Sequence, residues 1–392
     1  MQSFYSGKNL RTVHDVLVVG SGPSGSYVSY KLSSLGFDVV NLEEHREIGR
    51  PVECTGLVSE RVFKYVRTKA EVNSVNGAHI FFPNGKSIHI HKGDRTIVMD
   101  RDQFDKDASA MAIASGADIR IDSRVLRVRV DGEGVTTTYR QGGNLREIRS
   151  RIIVGADGVN SIVRKELGYE RPSRVISTYQ VDSAASMEDQ SSVNVYVGSQ
   201  STQGFFGWAT PAGELSKIGV GAYRKPALEH FKYINRKFGS QKILGINGGG
   251  IPITFLKKTY GKRNLLVGDA AGIVKPLSGG GIFTGIVSAK HAAEAIKNTL
   301  ETEDFSDRSL SGYQVSWKKE LGMELRFDAM AQKFFSGIPD RSLDRIYEIL
   351  SRPQNIETIN RVGDIDFPSR VILSILIRNP GIMAQIFRRN GK

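Results

Sequence analysis

The spacing of apolar residues changes twice near the start of the chain. A β-branched apolar run over residues 16–19 is typical of a buried strand, and the helical spacing that follows reaches Leu35 and ends at Gly36. A second apolar run over residues 37–42 predicts another strand. The turn between the first strand and the helix is Gly20-Ser21-Gly22-Pro23-Ser24-Gly25. This order predicts a βαβ unit with a glycine-rich first turn.

The turn carries the dinucleotide fingerprint G-x-G-x-x-G in the context that the fingerprint requires. Gly20, Gly22 and Gly25 follow the strand directly, and Glu43 ends the second strand about 20 residues later. Glycines at these positions let the backbone approach a pyrophosphate, and an acid at that distance binds ribose hydroxyls. The pattern therefore predicts a site for a dinucleotide.

A second glycine-rich stretch lies much later in the chain. Residues 265–267 predict a buried strand, Asp269 follows in a tight turn, and three consecutive glycines occupy positions 279–281. Apolar residues then recur at the helical spacing of Ile282, Ile286, Ala289 and Ala293. Such a helix start presents free backbone N–H groups to an anion or to the polar edge of a ring.

Strands dominate the middle of the chain and helices dominate its end. The loop over residues 46–57 is too rich in turn residues for regular structure, and a helix begins after Asp100. The other predicted segments are strands within 78–98, 125–130, 135–140, 152–154 and 173–223, a helix over 226–239, and a helical, charged region from about 301 onward.

Composition limits the class of protein. The single cysteine, Cys54, excludes an intramolecular disulfide and a cysteine-based metal cluster and indicates a reducing compartment. The chain shows neither a signal peptide nor an apolar run long enough to span a membrane, so we expect a cytoplasmic protein. The net charge of +13 favours anionic partners. Because the basic residues are spread along the chain without interleaved aromatic residues, we expect no nucleic-acid partner.

Three separated motifs resemble one family when they are taken together. They are the fingerprint with Glu43, Gly155-Ala156-Asp157-Gly158 followed by Ser161 and Arg164, and Gly268-Asp269-Ala270-Ala271-Gly272. Their order resembles FAD-dependent oxidoreductases of the p-hydroxybenzoate hydroxylase type. Within that fold, residues 51–57, Arg101-x-x-Phe104-Asp105 and residues 275–282 resemble the geranylgeranyl reductases, which saturate isoprenoid double bonds.

The resemblance implies the cofactor FAD and a set of residues around it. Gly20, Gly22, Ser24 and Gly25 would hold the pyrophosphate and Glu43 the adenosine ribose, while Asp269 would meet the ribityl or pyrophosphate region. The remaining cofactor contacts that it implies are Cys54, Thr55, Gly56, Arg101, Val125, Asp157, Gly281 and Ile282. No metal is implied.

The resemblance also implies an α/β fold with a discontinuous Rossmann-type FAD-binding domain, a mixed antiparallel substrate domain and a helical C-terminal part. The predicted domains are the FAD-binding segments 14–66, 93–170 and 262–300, the substrate segments 67–92 and 171–261, and the helical region 301–392. The implied reaction is reduction of carbon–carbon double bonds in a prenyl lipid or prenyl diphosphate. The electron donor stays open between NAD(P)H and a reduced carrier, because no second nucleotide fingerprint is present.

Two other functions stay open on the same fold, because a fold alone does not decide the chemistry. One is an aromatic-ring monooxygenase and the other is a prenyl-lipid binding protein without catalysis. The substrate region departs from the reductase signature Tyr-x-Trp-x-Phe-Pro, because residues 206–211 read Phe-Gly-Trp-Ala-Thr-Pro. Trp208, with Phe205 and Phe206, lines either an apolar tunnel or the sheet core.

Cys54 and Trp208 are the candidate catalytic residues. Cys54 lies in the loop that the family places over the flavin, although a small buried apolar role is the alternative. A nucleophilic role is not expected, because no base is adjacent in the sequence. His89 and His91 share one strand face, and a partly exposed strand face explains them better than a metal site does.

The C-terminal segment 370–392 is basic and amphipathic and contains no acidic residue. Pro380 divides it into two helical pieces. Such a segment lies in the interface of an anionic bilayer, which predicts a peripheral position at the inner face of the membrane. Packing of the apolar face on the domain is the alternative.

Overall fold

The computed structural model describes residues 13–223, 226–239, 241–382 and 384. The strands, in chain order, are β1 (Val13–Val19), β2 (Val39–Leu42), β3 (Leu57–Ser59), β4 (Glu71–Phe81), β5 (Ser87–Met99), β6 (Asp118–Arg120), β7 (Ser123–Val130), β8 (Val135–Gln141), β9 (Asn144–Gly155), β10 (Val175–Ser183), β11 (Ser192–Tyr196), β12 (Gly207–Ala212), β13 (Leu215–Ala222), β14 (Ile243–Asn247), β15 (Gly250–Pro252), β16 (Tyr260–Gly261) and β17 (Asn264–Leu266). The α-helices are α1 (Pro23–Ser33), α2 (Arg101–Ala114), α3 (Ile162–Glu166), α4 (Ala227–Asn235), α5 (Ile282–Thr302), α6 (Asp307–Phe335), α7 (Asp340–Leu350), α8 (Pro353–Val362) and α9 (Ser369–Arg378).

The first sheet has the strand order β16-β17-β9-β1-β2-β6, and β7 and β8 continue it from β9. The strands from β17 to β6 are parallel. Parallel strands in an α/β fold are covered on both faces, which explains why residues 16–19 are apolar without alternation and are all buried. Helix α1 packs against α2 and α5, and this places the starts of α1 and α5 at the same region of the sheet.

The second sheet has the strand order β14-β10-β13-β12-β11-β4-β5-β3, with β15 beside β10. All its neighbouring strands are antiparallel except β11 and β4. Helix α4 covers one face through Phe231 and Ile234. The opposite face carries Gln180, Trp208 and Lys217, and we call it the inner face because Gln180 and Lys217 bond to the loop over residues 51–57 and Trp208 bonds to Gln180.

The first half of α6 packs on α5, and the end of α6 lies with α7–α9 beside the β4–β5 end of the second sheet. Ile88 of β5 belongs to one apolar cluster with Ile346, Ile359 and Ile375 from α7, α8 and α9. The predicted α/β fold with a helical C-terminal part is confirmed. Strand β5 runs without interruption through the domain boundary predicted between residues 92 and 93, and the domain limits stay predictions.

Among the described residues, no helix is long and apolar enough to cross a membrane. Helix α9 forms the first piece of the predicted amphipathic segment. Most of the second piece, residue 383 and residues 385–392, lies outside the described residues.

Candidate active site

The glycine-rich turn has the geometry that an anion at the start of α1 requires. Gly20 has φ +98°, a conformation that favours glycine, and a Cβ on Gly25 would lie 1.9 Å from the Gly20 carbonyl oxygen. A Cβ on Gly22 would meet nothing within 4 Å. No side chain caps the N-terminus of α1, so its first N–H groups are available to a phosphate in the open space beside Gly22.

Glu43 lies next to this turn at the end of β2. Its carboxylate accepts hydrogen bonds from the backbone N–H of Ser21 (2.7 Å) and of His45 (3.0 Å), and the His45 ring nitrogen Nδ1 lies 2.6 Å away. These bonds hold the acid where the fingerprint requires the ribose-binding group. Val125, in β7, has its side chain in the core, so only its backbone can reach a cofactor.

Asp157 and Arg164 connect the second motif to the third. The Asp157 carboxylate accepts bonds from Ser161 Oγ (2.5 Å) and from the Val163 N–H (3.0 Å), which fixes the start of α3. Arg164 then donates to the Ala270 carbonyl oxygen at 3.0 Å. Asp157 therefore holds the turn that carries Asp269, while direct contact between Asp157 and FAD stays a prediction.

Asp269 is the acid of the third motif and lies shortly after β17. Among the described residues none donates a hydrogen bond to its carboxylate, and burial raises its pKa to about 6, with Arg101 opposing and Glu53 adding to the shift. Its Oδ1 atom lies 2.8 Å from the position of a Cβ on Gly281, directly before Ile282 at the start of α5. No side chain caps α5. An unpartnered acid beside a second uncapped helix start fits the hydroxyl groups and polar ring edge of FAD.

The loop of Cys54 is held by charged groups. Cys54 Sγ accepts from the Gly56 N–H at 3.3 Å, and the thiol lies close enough to the Arg101 guanidinium to influence its pKa. Arg101 in turn forms an ion pair with Asp105 at 2.9 Å. Burial alone would lower the pKa of Arg101, but the charges of Asp105 and Cys54 have the larger effect, so that its pKa is raised. Arg101 therefore lies near both the candidate catalytic thiol and Asp269.

Two residues of the inner face clamp the same loop, and the sequence motifs did not identify them. Lys217 Nζ donates to the carbonyl oxygens of Thr55 (2.8 Å) and Met99 (3.2 Å), and burial lowers the pKa of this lysine. Gln180 Oε1 accepts from Thr55 Oγ1 (2.6 Å) and from Trp208 Nε1 (3.0 Å).

A glycine opposite Trp208 makes the contact with Gln180 possible. A Cβ on Gly219, which pairs with both Trp208 and Gln180, would lie 2.4 Å from the indole ring. Phe206 contacts Trp208, with ring centroids 5.9 Å apart, and Phe205 stacks on Phe206 at 4.3 Å. Trp208 is thus linked to the Cys54 loop through Gln180, which accepts a hydrogen bond from Trp208 and from Thr55. Trp208 forms no hydrogen bond with Cys54 itself.

A largely apolar cleft of about 790 Å³ adjoins two loops of the site, the Cys54 loop and the glycine-rich loop before α5. Leu57, which follows the Cys54 loop, and Leu277, from the third motif, both line it. Its other apolar walls include Val75, Ala78, Ile80, Ile88, Ile90, Val193, Phe327, Phe334, Ile372 and Ile375. Phe205, Phe206 and Trp208 are not among the described residues that line this cleft, so their role as tunnel residues stays a prediction.

A buried ion pair connects the third motif to the wall of the cleft. Lys275 Nζ donates to Asp366 Oδ1 (2.9 Å) and to the Ile365 carbonyl oxygen (2.7 Å). Ser59 Oγ and Arg61 also donate to Asp366, which lies just before α9. The strand after the Cys54 loop, the glycine-rich loop and the C-terminal region therefore meet at one carboxylate.

Comparison with known proteins agrees with this geometry. A family model described as an FAD binding domain matches residues 13–242. Digeranylgeranylglycerophospholipid reductase 2 of Methanothermobacter thermautotrophicus is 30% identical to the chain, over 93% of the chain and 100% of the relative. An uncharacterised protein of Methanocaldococcus jannaschii is also 30% identical, over 93% of the chain and 95% of the relative.

A solved structure shares the whole fold. It is a geranylgeranyl bacteriochlorophyll reductase-like protein from Thermoplasma acidophilum, with a TM-score of 0.87 and 24% identity, covering 95% of this chain and 98% of the other. The predicted cofactor, FAD, and the predicted class of enzyme, an FAD-dependent reductase, are confirmed. From its sequence relatives and its FAD-binding fold, the chain belongs to the geranylgeranyl reductase family of FAD-dependent oxidoreductases.

Proposed function

We propose that this protein reduces carbon–carbon double bonds in the geranylgeranyl chains of a prenyl lipid. The observation that carries the proposal is the apolar cleft, because its walls include residues from both loops beside the flavin site, Leu57 and Leu277. A chain of repeated isoprene units needs a long apolar surface that leads to the reacting atoms. The name of the relative from Methanothermobacter thermautotrophicus supplies the lipid class.

The residues of the site have separate tasks in this proposal. FAD, when bound and reduced, would supply a hydride to one alkene carbon, while a proton from solvent or from an acid of the site would reach the other carbon. The N–H groups at the start of α1 would bind the pyrophosphate, Glu43 the adenosine ribose, and Asp269 the ribityl or pyrophosphate region. The uncapped start of α5 stabilises negative charge at the ring edge. Arg101, Lys217 and Gln180 fix the Cys54 loop, so that water is excluded and the alkene is oriented.

The substrate and the electron donor complete the proposal. The substrate carries its prenyl chain as a lipid or as a diphosphate, and NAD(P)H or a reduced carrier delivers the electrons. The cleft borders α9, which exposes Leu373 and Ile377 beside the cation of Arg378. An exposed apolar and basic edge next to a lipid cleft supports docking of this edge on an anionic membrane at the cytoplasmic side.

Anaerobic mixing tests the reaction. We expect dithionite-reduced holoenzyme to be reoxidised by a geranylgeranyl glycerophospholipid, with a product that gains two hydrogens for each reduced double bond. Ala78→Trp, which fills the cleft, should retain FAD and slow this reoxidation by at least about tenfold.

Other outcomes would identify the alternatives. Substrate-dependent incorporation of oxygen under air would indicate an aromatic-ring monooxygenase. Tight binding of the lipid to the FAD-loaded protein with no reoxidation would indicate a lipid-binding protein, and either result would contradict the proposal.

A further inference from the structure

Two histidines and one carboxylate meet on the face of the second sheet opposite to the inner face. His79 of β4 and His89 of β5 pair directly in the antiparallel register, and their rings stack with centroids 4.2 Å apart. Asp189, more than 100 residues later, places Oδ2 3.0 Å from His79 Nε2. The donor atoms of the three side chains all lie within 4.8 Å of one another.

The surroundings orient the Asp189 carboxylate and leave room for the His89 ring. Asp189 Oδ1 accepts from the N–H (2.8 Å) and from Oγ (2.6 Å) of Ser191, so that Oδ2 is the oxygen directed at the histidines. Gly77 leaves the space for the second ring, because a Cβ at that position would lie 3.0 Å from His89 Nε2 and 2.5 Å from Ser192 Oγ. Hydrogen bonds that orient a ligating carboxylate are typical of metal sites.

The site is open to solution and separate from the flavin. The side chains of His79 and Asp189 are 28% and 37% exposed, and His89 is exposed. His79 pairs with Asn194, and Asn194 pairs with Ala209, the neighbour of Trp208. Because neighbouring residues in a strand point to opposite faces, His79 and its partner His89 face away from Trp208. An ion from solution can therefore reach them without entering the cleft.

We propose that His79, His89 and Asp189 bind a divalent transition-metal ion such as Zn²⁺, with water in the remaining position. Two imidazole nitrogens and one carboxylate oxygen suit this class of ion. Stacked rings do not direct both lone pairs at one centre, so binding requires the exposed His89 ring to rotate about its Cβ–Cγ bond. Because Asp189 precedes β11, the bound ion would join the β4–β5 hairpin to the chain segment before β11 and so stabilise this edge of the sheet.

The test is Zn²⁺ titration of the FAD-loaded protein by calorimetry, with unfolding temperatures measured in Zn²⁺ and in EDTA. We expect one ion per chain and a rise in unfolding temperature with Zn²⁺, both lost in His79→Ala and in His89→Ala. Ser191→Ala, which removes one orienting hydroxyl, should weaken binding by about tenfold.

His91→Ala is the matched control, because its ring lies on the same strand with its centroid 6.4 Å from that of His89. This variant should bind Zn²⁺ as the unchanged protein does. Equal unfolding temperatures of all variants in EDTA would show that they are folded. The proposal fails if the unchanged protein shows no binding above that of the His79→Ala variant, or if His91→Ala loses binding equally.

Discussion

Lys217 Nζ donates a hydrogen bond of 2.8 Å to the carbonyl oxygen of Thr55. This bond crosses from the second sheet to the loop that carries Cys54, and the same ammonium group also bonds to Met99 two residues before Arg101. One partly buried cation thus fixes the loop that carries the candidate catalytic thiol and the chain segment that leads to Arg101. We infer that Lys217 is a positioning residue for the Cys54 loop.

Lys217→Met tests this role. The variant leaves two carbonyl oxygens without their charged donor, and we expect the free energy of unfolding to fall by about 1.5–3 kcal/mol. FAD should still bind, because the glycine turn and Asp269 are untouched, while reoxidation of the reduced flavin by a prenyl lipid should slow. Lys232→Met, on the exposed side of α4, should leave both quantities unchanged. A variant that is destabilised but reoxidised at the normal rate would refute the positioning role.

Gly22 and Gly25 lie in one turn, but substitutions at the two positions should have different effects on folding and on FAD binding. A Cβ on Gly22 meets no protein atom within 4 Å, whereas a Cβ on Gly25 would lie 1.9 Å from the Gly20 carbonyl oxygen. We therefore expect Gly22→Val to fold normally without FAD, and Gly25→Ala to be unstable even as apoprotein.

The flavin-to-protein absorbance ratio and circular dichroism measure the two effects separately. Asp269→Ala should resemble Gly22→Val, because it removes an acceptor and leaves no protein donor unpaired. Full FAD occupancy in folded Gly22→Val or Asp269→Ala protein would be incompatible with the assigned cofactor contacts.

The local parts of the flavin site could be predicted from the sequence, because they lie close together in the chain. Gly20, Gly22 and Glu43 are brought together by a single βαβ unit, and the strand, turn and helix signals are all present within that unit. By contrast, Lys217 reaches Thr55 across 162 positions. No sequence pattern distinguishes a lysine that clamps a loop from one that faces solvent. The fold class was therefore predictable, whereas the residues that support the site were not.

Asp328 is a buried carboxyl group on α6 in which both oxygens lack a hydrogen-bond partner among the described residues. Burial raises its pKa to about 7, Glu324 adds to the shift, and Lys275 opposes it. The ordinary pKa of an aspartate is about 3.9, so the folded protein holds a proton that the unfolded chain releases between about pH 4 and pH 7. Stability should therefore fall as the pH rises through this window, by at most about 1.4 kcal/mol for each pH unit.

Asp328→Asn should remove that pH dependence, because the amide imitates the protonated acid at every pH. Urea unfolding at pH 5 and pH 8 is the measurement, and we expect the variant to exceed the unchanged protein in stability by a larger margin at pH 8 than at pH 5. Glu357→Gln, an exposed change on α8, is the control and should alter neither value. Equal pH dependence in the Asp328→Asn variant and the unchanged protein would show that Asp328 is ionised in the fold.

The C-terminal helix α9 packs one face on the protein and exposes apolar side chains on another. Ile375 is only 4% exposed and packs in the cluster with Ile346 and Ile359, so one face of α9 belongs to the protein. Leu373 and Ile377 are 46% and 80% exposed on the other side. The amphipathic sequence pattern predicted one buried and one solvent-exposed face for this helix. It did not show that apolar residues lie on both faces.

Membrane docking is therefore best tested without deleting the segment 370–392, since a deletion would also remove Ile375 and Ile382 from the cluster. We expect Leu373→Ser with Ile377→Ser, and separately Arg378→Gln, to weaken binding to anionic vesicles in co-sedimentation assays. The loss for Arg378→Gln should be about 1 kcal/mol at low salt and should shrink as salt is added, because the cation acts through the surface potential of the bilayer. Arg140→Gln, an exposed change on β8, should have no such effect. If the unchanged protein does not bind anionic vesicles, or if the serine variant binds them equally well, α9 is not the docking edge and the lipid must reach the cleft by another route.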